Sequence, residues 1–131
     1  QDNGYTYIEP QAYLTCWVAL TDTDEENGCP WVMPGLHQRG TLFHDSTDLG
    51  HEIPLDASES IPLPLKAGSI AIFSSLTPHR TGPNLSEGIR KSYILQYAPE
   101  GSKRVISQSL REDLNDETRQ FLILKDGKEV N

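Results

Sequence analysis

One histidine, His79, stands between two prolines in the stretch 69–84, which reads Ser-Ile-Ala-Ile-Phe-Ser-Ser-Leu-Thr-Pro-His-Arg-Thr-Gly-Pro-Asn. The run from Ile70 to Phe73 is apolar and strand-like, and it breaks at Ser74-Ser75. A histidine held just past a buried strand is well placed to ligate a metal or to move a proton. Thr81 follows two residues later, so in an extended chain its side chain points the same way as that of His79. Arg90 follows His79 by eleven residues and leads into a second strand-like run, 92–97. A histidine, a hydroxyl and a guanidinium are thereby able to converge on one pocket. The start of the chain, Gln1-Asp2-Asn3-Gly4-Tyr5, would supply its other half.

Three cations lie near such a pocket. Arg80 adjoins His79 and, in an extended chain, points to the opposite face. Lys91 is out of phase with Ser92, Ile94 and Gln96, whereas Arg90 is in phase with them. Lysine also lacks the planar fork that grips a carboxylate through two parallel bonds. Of the three, Arg90 alone combines that phase with a planar fork, and Thr81 shares the face of His79.

The elements that must position these groups are short strands. In 11–20, Ala12, Leu14, Cys16, Val18 and Leu20 form one side and Tyr13, Thr15, Trp17 and Ala19 the other, both mostly apolar, which predicts a strand covered on both faces. Asn27-Gly28 is a strong turn signal, and Trp31-Val32-Met33 reads as a return strand closed by Pro34-Gly35. Between residues 36 and 63 the pattern weakens; 40–44 reads as a short strand, and 51–60 as a polar loop that would form a lid. The alternating prolines of 61–66 restrict that segment to an edge or a connector. Near the end, Leu110 and Leu114 are one helical turn apart, Asn115 or Asp116 could cap a short helix through Arg119, and 121–124 looks like a last strand. Many short strands with turn signals between them predict an all-β fold.

Composition sets the outer bounds. The chain has 131 residues, 36% of them hydrophobic, enough for one domain with a core. A formal net charge of −8 argues against a nucleic-acid partner. No apolar run approaches the ~20 residues that cross a bilayer as a helix, so no membrane role is expected. Cys16 and Cys29 make no disulfide framework, which points to a reducing, cytoplasmic setting. Residue 1 is Gln, so the chain reads as a processed product, a fragment or the ordered part of something longer.

Taken in order, Gln1-Asp2, 14–20, the block Glu26-Asn27-Gly28-Cys29-Pro30-Trp31-Val32-Met33-Pro34-Gly35-Leu36-His37, Leu65-Lys66-Ala67-Gly68 and 77–84 resemble the phytanoyl-CoA dioxygenase family, from Gln1 to about Pro99. That resemblance implies a non-haem Fe(II) oxygenase with 2-oxoglutarate as co-substrate. It implies a double-stranded β-helix, the cupin-like jelly roll, of which 1–131 would be the C-terminal catalytic-core portion. The family's metal motif is His-x-Asp with a distant second His. Here Asp2 and His79 fill two of the three places, and the first His would be the residue before Gln1. A missing N-terminal segment of the same protein is then expected to complete the fold. The family spacings of two and eleven residues after the distal His place Thr81 and Arg90 on 2-oxoglutarate.

The implied reaction hydroxylates an unactivated C–H bond of a small-molecule substrate, releasing succinate and CO₂. Taken alone, Asp2 reads as a solvated terminal acid, His79 as a satisfied loop histidine and Arg90 as a surface charge beside Glu87; the ordered blocks reverse all three readings. Two alternatives stand. One is a halogenase on the same scaffold, which Asp2 opposes because that chemistry replaces the carboxylate ligand with a small residue. The other is a jelly-roll module that binds a ligand without turnover. Trp17, Trp31, Tyr5 and Tyr7 read first as core aromatics, with pocket lining the lesser option. His37 reads as structural, and His44 and His51 have no partner at ligand spacing.

Overall fold

The computed structural model describes residues 1–10, 12–48, 50–116, 118 and 120–130. Three three-stranded antiparallel sheets and two hairpins make up the described structure. The first sheet has β2 (Leu14–Ala19) at its centre, flanked by β7 (Ile70–Ser74) and β9 (Ser92–Tyr97). The second has β3 (Pro30–Val32) at its centre, flanked by β6 (Ile61–Pro62) and β8 (His79–Thr81). The chain passes from the first sheet to the second twice, from β2 to β3 and from β7 to β8. This is the jelly-roll pattern expected from the sequence.

The register explains which faces are used. Thr15 lies opposite Phe73 and Gln96, and Trp17 opposite Ala71 and Ile94. Thr15 and Trp17 are therefore on one face, and both are buried. On the other face, Cys16 at 9% exposure is closed in, but Leu14, Ile70, Ile72, Tyr93 and Tyr97 are 42–62% exposed. The expectation of a strand covered on both faces holds for the middle of β2 and fails for its neighbours. An apolar stripe of this extent is an uncovered sheet face.

The proline-bearing segment is an edge, as proline's missing donor requires: among the described residues β6 pairs only with β3. The Asn27-Gly28 turn is locked by reciprocal bonds, Asp24 N–H to Asn27 Oδ1 and Asn27 N–H to Asp24 Oδ1. Gly28 has φ +87°, and a Cβ there would lie 2.5 Å from the Gly82 carbonyl oxygen. The turn therefore needs glycine both for its backbone and for the close approach of 82–83.

Three expectations are corrected. Residues 40–44 form no strand; the strands here are β4 (Asp45–Thr47) and β5 (Gly50–Glu52), paired as a hairpin. The short C-terminal helix is absent among the described residues. In its place β11 (Arg111–Asp113) pairs with β10 (Lys103–Val105), which pairs with β1 (Ile8–Glu9). Arg119, the expected helix end, lies outside the described residues. The last apolar run does yield a strand, but as β12 (Leu124–Lys125) in a hairpin with β13 (Lys128–Glu129) around Asp126-Gly127. Cys16 and Cys29 are buried free thiols. No helix among the described residues is long and apolar enough to cross a membrane.

Candidate metal and co-substrate site

Asp2 opens a 3₁₀ turn, Asp2–Gly4, rather than sitting in an extended strand. Its two neighbours anchor it. The Gln1 side chain donates to the carbonyls of Gly40 (3.0 Å) and Leu76 (2.5 Å) and accepts from Leu42 N–H (2.9 Å). Asn3 donates through its side chain to Thr41 Oγ1 (2.7 Å) and through its backbone to the Ser75 carbonyl (3.0 Å). Gly4 packs so closely on the His44 ring that a Cβ would come within 2.5 Å of Nε2. These bonds fasten residues 1–4 to the loop after β7 and to the 40–44 segment.

His79 begins β8, opposite Val32 of β3. Its ring packs 4.7 Å from the Phe73 ring, centroid to centroid, so the strand before the crossover helps orient it. Its Nδ1 lies 2.9 Å from the Thr77 carbonyl. A carbonyl oxygen only accepts, so Nδ1 carries the proton and donates, and the other ring nitrogen, Nε2, is directed away. Nε2 stands 3.4 Å from Asp2 Oδ1. The carboxylate's second oxygen, Oδ2, accepts from Thr15 Oγ1 at 2.5 Å. Asp2 thus bridges the two sheets, touching β2 through Thr15 and β8 through His79.

The chemistry of this pair is decided by what lies between its atoms. With Nδ1 protonated, a neutral imidazole presents a lone pair at Nε2 to a carboxylate oxygen, which is repulsive without a cation between them. A proton on Nε2 supplies one, as an ion pair. A divalent metal supplies another: two ligand atoms ~2.1 Å from one metal at right angles stand about 3 Å apart. The donor set, one imidazole nitrogen and one carboxylate oxygen, fits two legs of a 2-His-1-carboxylate iron site. Burial alone would raise the Asp2 pKa. The Thr15 hydroxyl bond and, when Nε2 carries a proton, the hydrogen bond and positive charge of His79 together hold the carboxyl below its usual range. Among the described residues, no third His, Cys, Asp or Glu joins the pair.

Arg90 precedes β9, and its guanidinium carbon lies 5.8 Å from the centroid of the Trp17 ring. Trp17 is two residues along β2 from Thr15 on the same face, which places Arg90 on the inner side of the sheet. Arg90 Nε is buried and has no hydrogen-bond partner among the described residues. Such an orphaned donor is costly unless an acceptor is supplied. Thr81 ends β8 opposite Pro30, on the face of His79, and is exposed. The structure brings Asp2 and His79 together and sets Arg90 on the face that holds Thr15, but no hydrogen bond joins Thr81 to Arg90. Arg80 does take the opposite face, stacked 5.4 Å over Trp31.

A cavity of about 360 Å³ adjoins His79, with Gln1 and Arg80 also in its wall. Its lining includes His79, Trp31, Met33, Ile53 and Leu55, so the expected 51–60 lid segment forms one wall. Trp31 is accordingly a cavity residue and Trp17 a core one at 5% exposure. Tyr5 and Tyr7, at 61% and 46% exposed, are not core aromatics. Tyr5 instead stacks on His51 (4.5 Å) and accepts from its backbone N–H. Sequence reasoning missed Thr15, Thr77 and Phe73. Thr15 was visible only as a polar residue on an otherwise apolar face of β2.

The Phytanoyl-CoA dioxygenase (PhyH) family profile matches residues 1–92. Phytanoyl-CoA dioxygenase 1 of Oryza sativa subsp. japonica is 33% identical over 101 residues, covering 72% of this chain and 36% of that protein. Methylphosphonate hydroxylase of Gimesia maris is 34% identical over 94 residues, covering 72% and 35%. The chain thus spans about a third of the length of these relatives. Among solved structures, EvdO2 of Micromonospora carbonacea var. aurantiaca, complexed with 2-oxoglutarate, superposes with TM-score 0.68 at 27% identity, covering 82% of this chain and 46% of that one. The apo non-heme monooxygenase ThoJ gives TM-score 0.72 at 27% identity, covering 93% and 47%. The matched region contains both members of the half-buried pair, Asp2 and His79, and also Thr81 and Arg90, and the chain belongs to the phytanoyl-CoA dioxygenase family.

Proposed function

We propose that this chain is the catalytic-core portion of an Fe(II)- and 2-oxoglutarate-dependent dioxygenase that hydroxylates an unactivated C–H bond of a small molecule. The observation that carries the reading is the 3.4 Å approach of His79 Nε2 to Asp2 Oδ1, which with a neutral imidazole sets two acceptor atoms face to face across the place a cation would take. Asp2 and His79 would hold the metal, and the family motif puts the third protein ligand, a histidine, directly before Gln1. Iron with bound 2-oxoglutarate supplies O₂ activation, with succinate and CO₂ as by-products of the hydroxylation. The chain's own residues bind and orient. Arg90 offers its fork, including the orphaned Nε, to the distal carboxylate of 2-oxoglutarate, and Thr81 adds a hydroxyl donor. The Thr77 carbonyl keeps the proton on His79 Nδ1 so that Nε2 remains a ligand.

The cavity beside His79 would take the substrate. Its size is at the small end for ligand sites, and Trp31, Met33, Ile53 and Leu55 offer it an apolar wall. The exposed stripe of Leu14, Ile70, Ile72, Tyr93 and Tyr97 is where the remainder of a longer protein would complete the fold. Free, buried Cys16 and Cys29 suit a reducing, cytoplasmic setting.

The test is iron-dependent release of succinate from 2-oxoglutarate by the whole protein. Release that needs Fe(II) and is lost in His79→Ala supports the reading. Fe(II) and 2-oxoglutarate binding with no succinate under any substrate screened would favour the non-catalytic module instead.

A further inference from the structure

We infer that Thr15 is a positioning residue that makes Asp2 a one-oxygen ligand, tying down Oδ2 so that only Oδ1 is offered to a metal. The inference rests on the reading of Asp2 as a metal ligand. Thr15, the second residue of β2, is 2% exposed between Phe73 of β7 and Gln96 of β9. Its hydroxyl has one proton, and it is spent on Asp2 Oδ2 at 2.5 Å. As a β-branched residue in a strand, Thr15 has few χ1 options, so the hydroxyl is held in place before any metal arrives. Asp2 Oδ1, by contrast, faces His79 Nε2.

A free carboxylate can bind a cation through one oxygen or through both. Two-oxygen binding would take a further metal position. An iron oxygenase needs open positions for its co-substrate and O₂ beyond the three protein ligands. The Thr15 bond settles the choice at the level of the protein, because Oδ2 would have to leave a buried hydroxyl in order to chelate. Gln1 and Asn3, stapled on either side, prevent the turn from rotating to compensate.

The experiment uses the full-length protein and Co(II), whose visible absorption reports both affinity and coordination number without turnover. Removing a group that orients a ligand typically costs 10–100-fold in metal affinity. Thr15→Val, which deletes the hydroxyl at nearly constant volume, is expected to weaken Co(II) by at least tenfold and to alter its spectrum. Thr15→Ser, which keeps the donor, should stay within about threefold of wild type in affinity. Wild-type affinity and spectrum in Thr15→Val would overturn the inference, and so would equal weakening in Val and Ser variants. If Thr15→Val does not fold, Thr15→Ala is compared with Thr15→Ser; a tenfold gap supports the inference and equal affinities overturn it. Asp2→Ala is measured alongside. Undiminished Co(II) binding in that variant would mean that Asp2 is no ligand, a failure of the underlying reading distinguishable from failure of the Thr15 inference alone.

Discussion

The Asp2–His79 corner and the Arg90–Thr81 corner are built in opposite ways. In the first, Asp2 Oδ2, His79 Nδ1 and the Gln1 amide are engaged by Thr15, Thr77, Gly40, Leu76 and Leu42, and the Asn3 amide donates to Thr41, although its buried Oδ1 bonds to nothing described. In the second, Arg90 leans on the face of Trp17 with a buried Nε that bonds to nothing described, and Thr81 is exposed at the end of its strand. A metal site gains from rigidity, because ligand atoms held at the right spacing lose no freedom when the cation binds. A carboxylate site gains from an unspent donor, because the incoming oxygen then satisfies a group the fold left unpaired. On the proposed function, the difference means that the Asp2–His79 corner is held by the fold before any metal binds, whereas the Arg90 corner keeps a donor for its ligand.

The largest expected effect strikes the pre-built half. In the whole protein, Asp2→Ala should abolish iron-dependent succinate release and weaken metal binding beyond the 10–100-fold of an outer-group change, with the fold retained by circular dichroism. Full hydroxylase activity in that variant would remove Asp2 from the site.

The next effect separates the two halves. Charge-assisted hydrogen bonds contribute roughly 1.5–3 kcal/mol each, so losing two in Arg90→Ala should raise the 2-oxoglutarate KM on the order of 10²-fold. Metal affinity measured without 2-oxoglutarate should be unchanged. Arg80→Ala should leave the KM near wild type, since Arg80 stacks on Trp31 in the wall of the cavity beside His79 and not on the Trp17 face that holds Arg90. A large KM rise for Arg80→Ala with little for Arg90→Ala would reverse the assignment.

What the sequence made legible follows the same division. Strands β2, β7 and β9 were readable because alternation and apolar runs are local signals, and the β6 edge because proline forbids anything else. The shared face of His79 and Thr81 on β8 was readable from their two-residue spacing. The clasp on Asp2 was not. It joins a 3₁₀ turn to a threonine 13 residues on and to a ring beyond residue 75, and contacts of that range depend on how strands register. The helix expected near Leu110 failed for a related reason. A spacing of four is compatible with a helical turn, but Arg111–Asp113 found backbone partners in β10, and Arg111 an ion pair with Glu9 at 2.8 Å.

A third, smaller effect tests whether the co-substrate corner is sensitive to its surroundings. Gly28→Ala forces a side chain onto φ +87° and into the Gly82 carbonyl, next to Thr81. The strain is about 1–3 kcal/mol, read as a lower Tm. The 2-oxoglutarate KM should rise while Co(II) affinity holds. Equal damage to both would show the two corners to be one mechanical unit.

The smallest effect lies far from either corner. The Asp22 carboxyl is held below its ordinary value of 3.8 by the Ala67 backbone N–H and by Lys66, 2.8 Å away. A depressed carboxyl stabilises the fold above its unfolded pKa, and the contribution fades as pH falls from there through the folded value. Asp22→Asn should therefore lower Tm slightly at neutral pH, with the difference from wild type vanishing in strong acid. The pair is solvent-exposed, so added salt should shrink the effect as well.

The central claim, that Asp2 and His79 jointly hold an iron to which 2-oxoglutarate binds, is tested most directly by anaerobic titration of the full-length protein with Fe(II) and 2-oxoglutarate. The readout is the visible charge-transfer absorption that appears when a 2-oxoacid chelates Fe(II). The account predicts the band in wild type, its loss in Asp2→Ala and in His79→Ala, and its return in Arg90→Ala at much higher 2-oxoglutarate. A band of full intensity in either the Asp2 or the His79 variant, or no band in the wild-type protein, would contradict it.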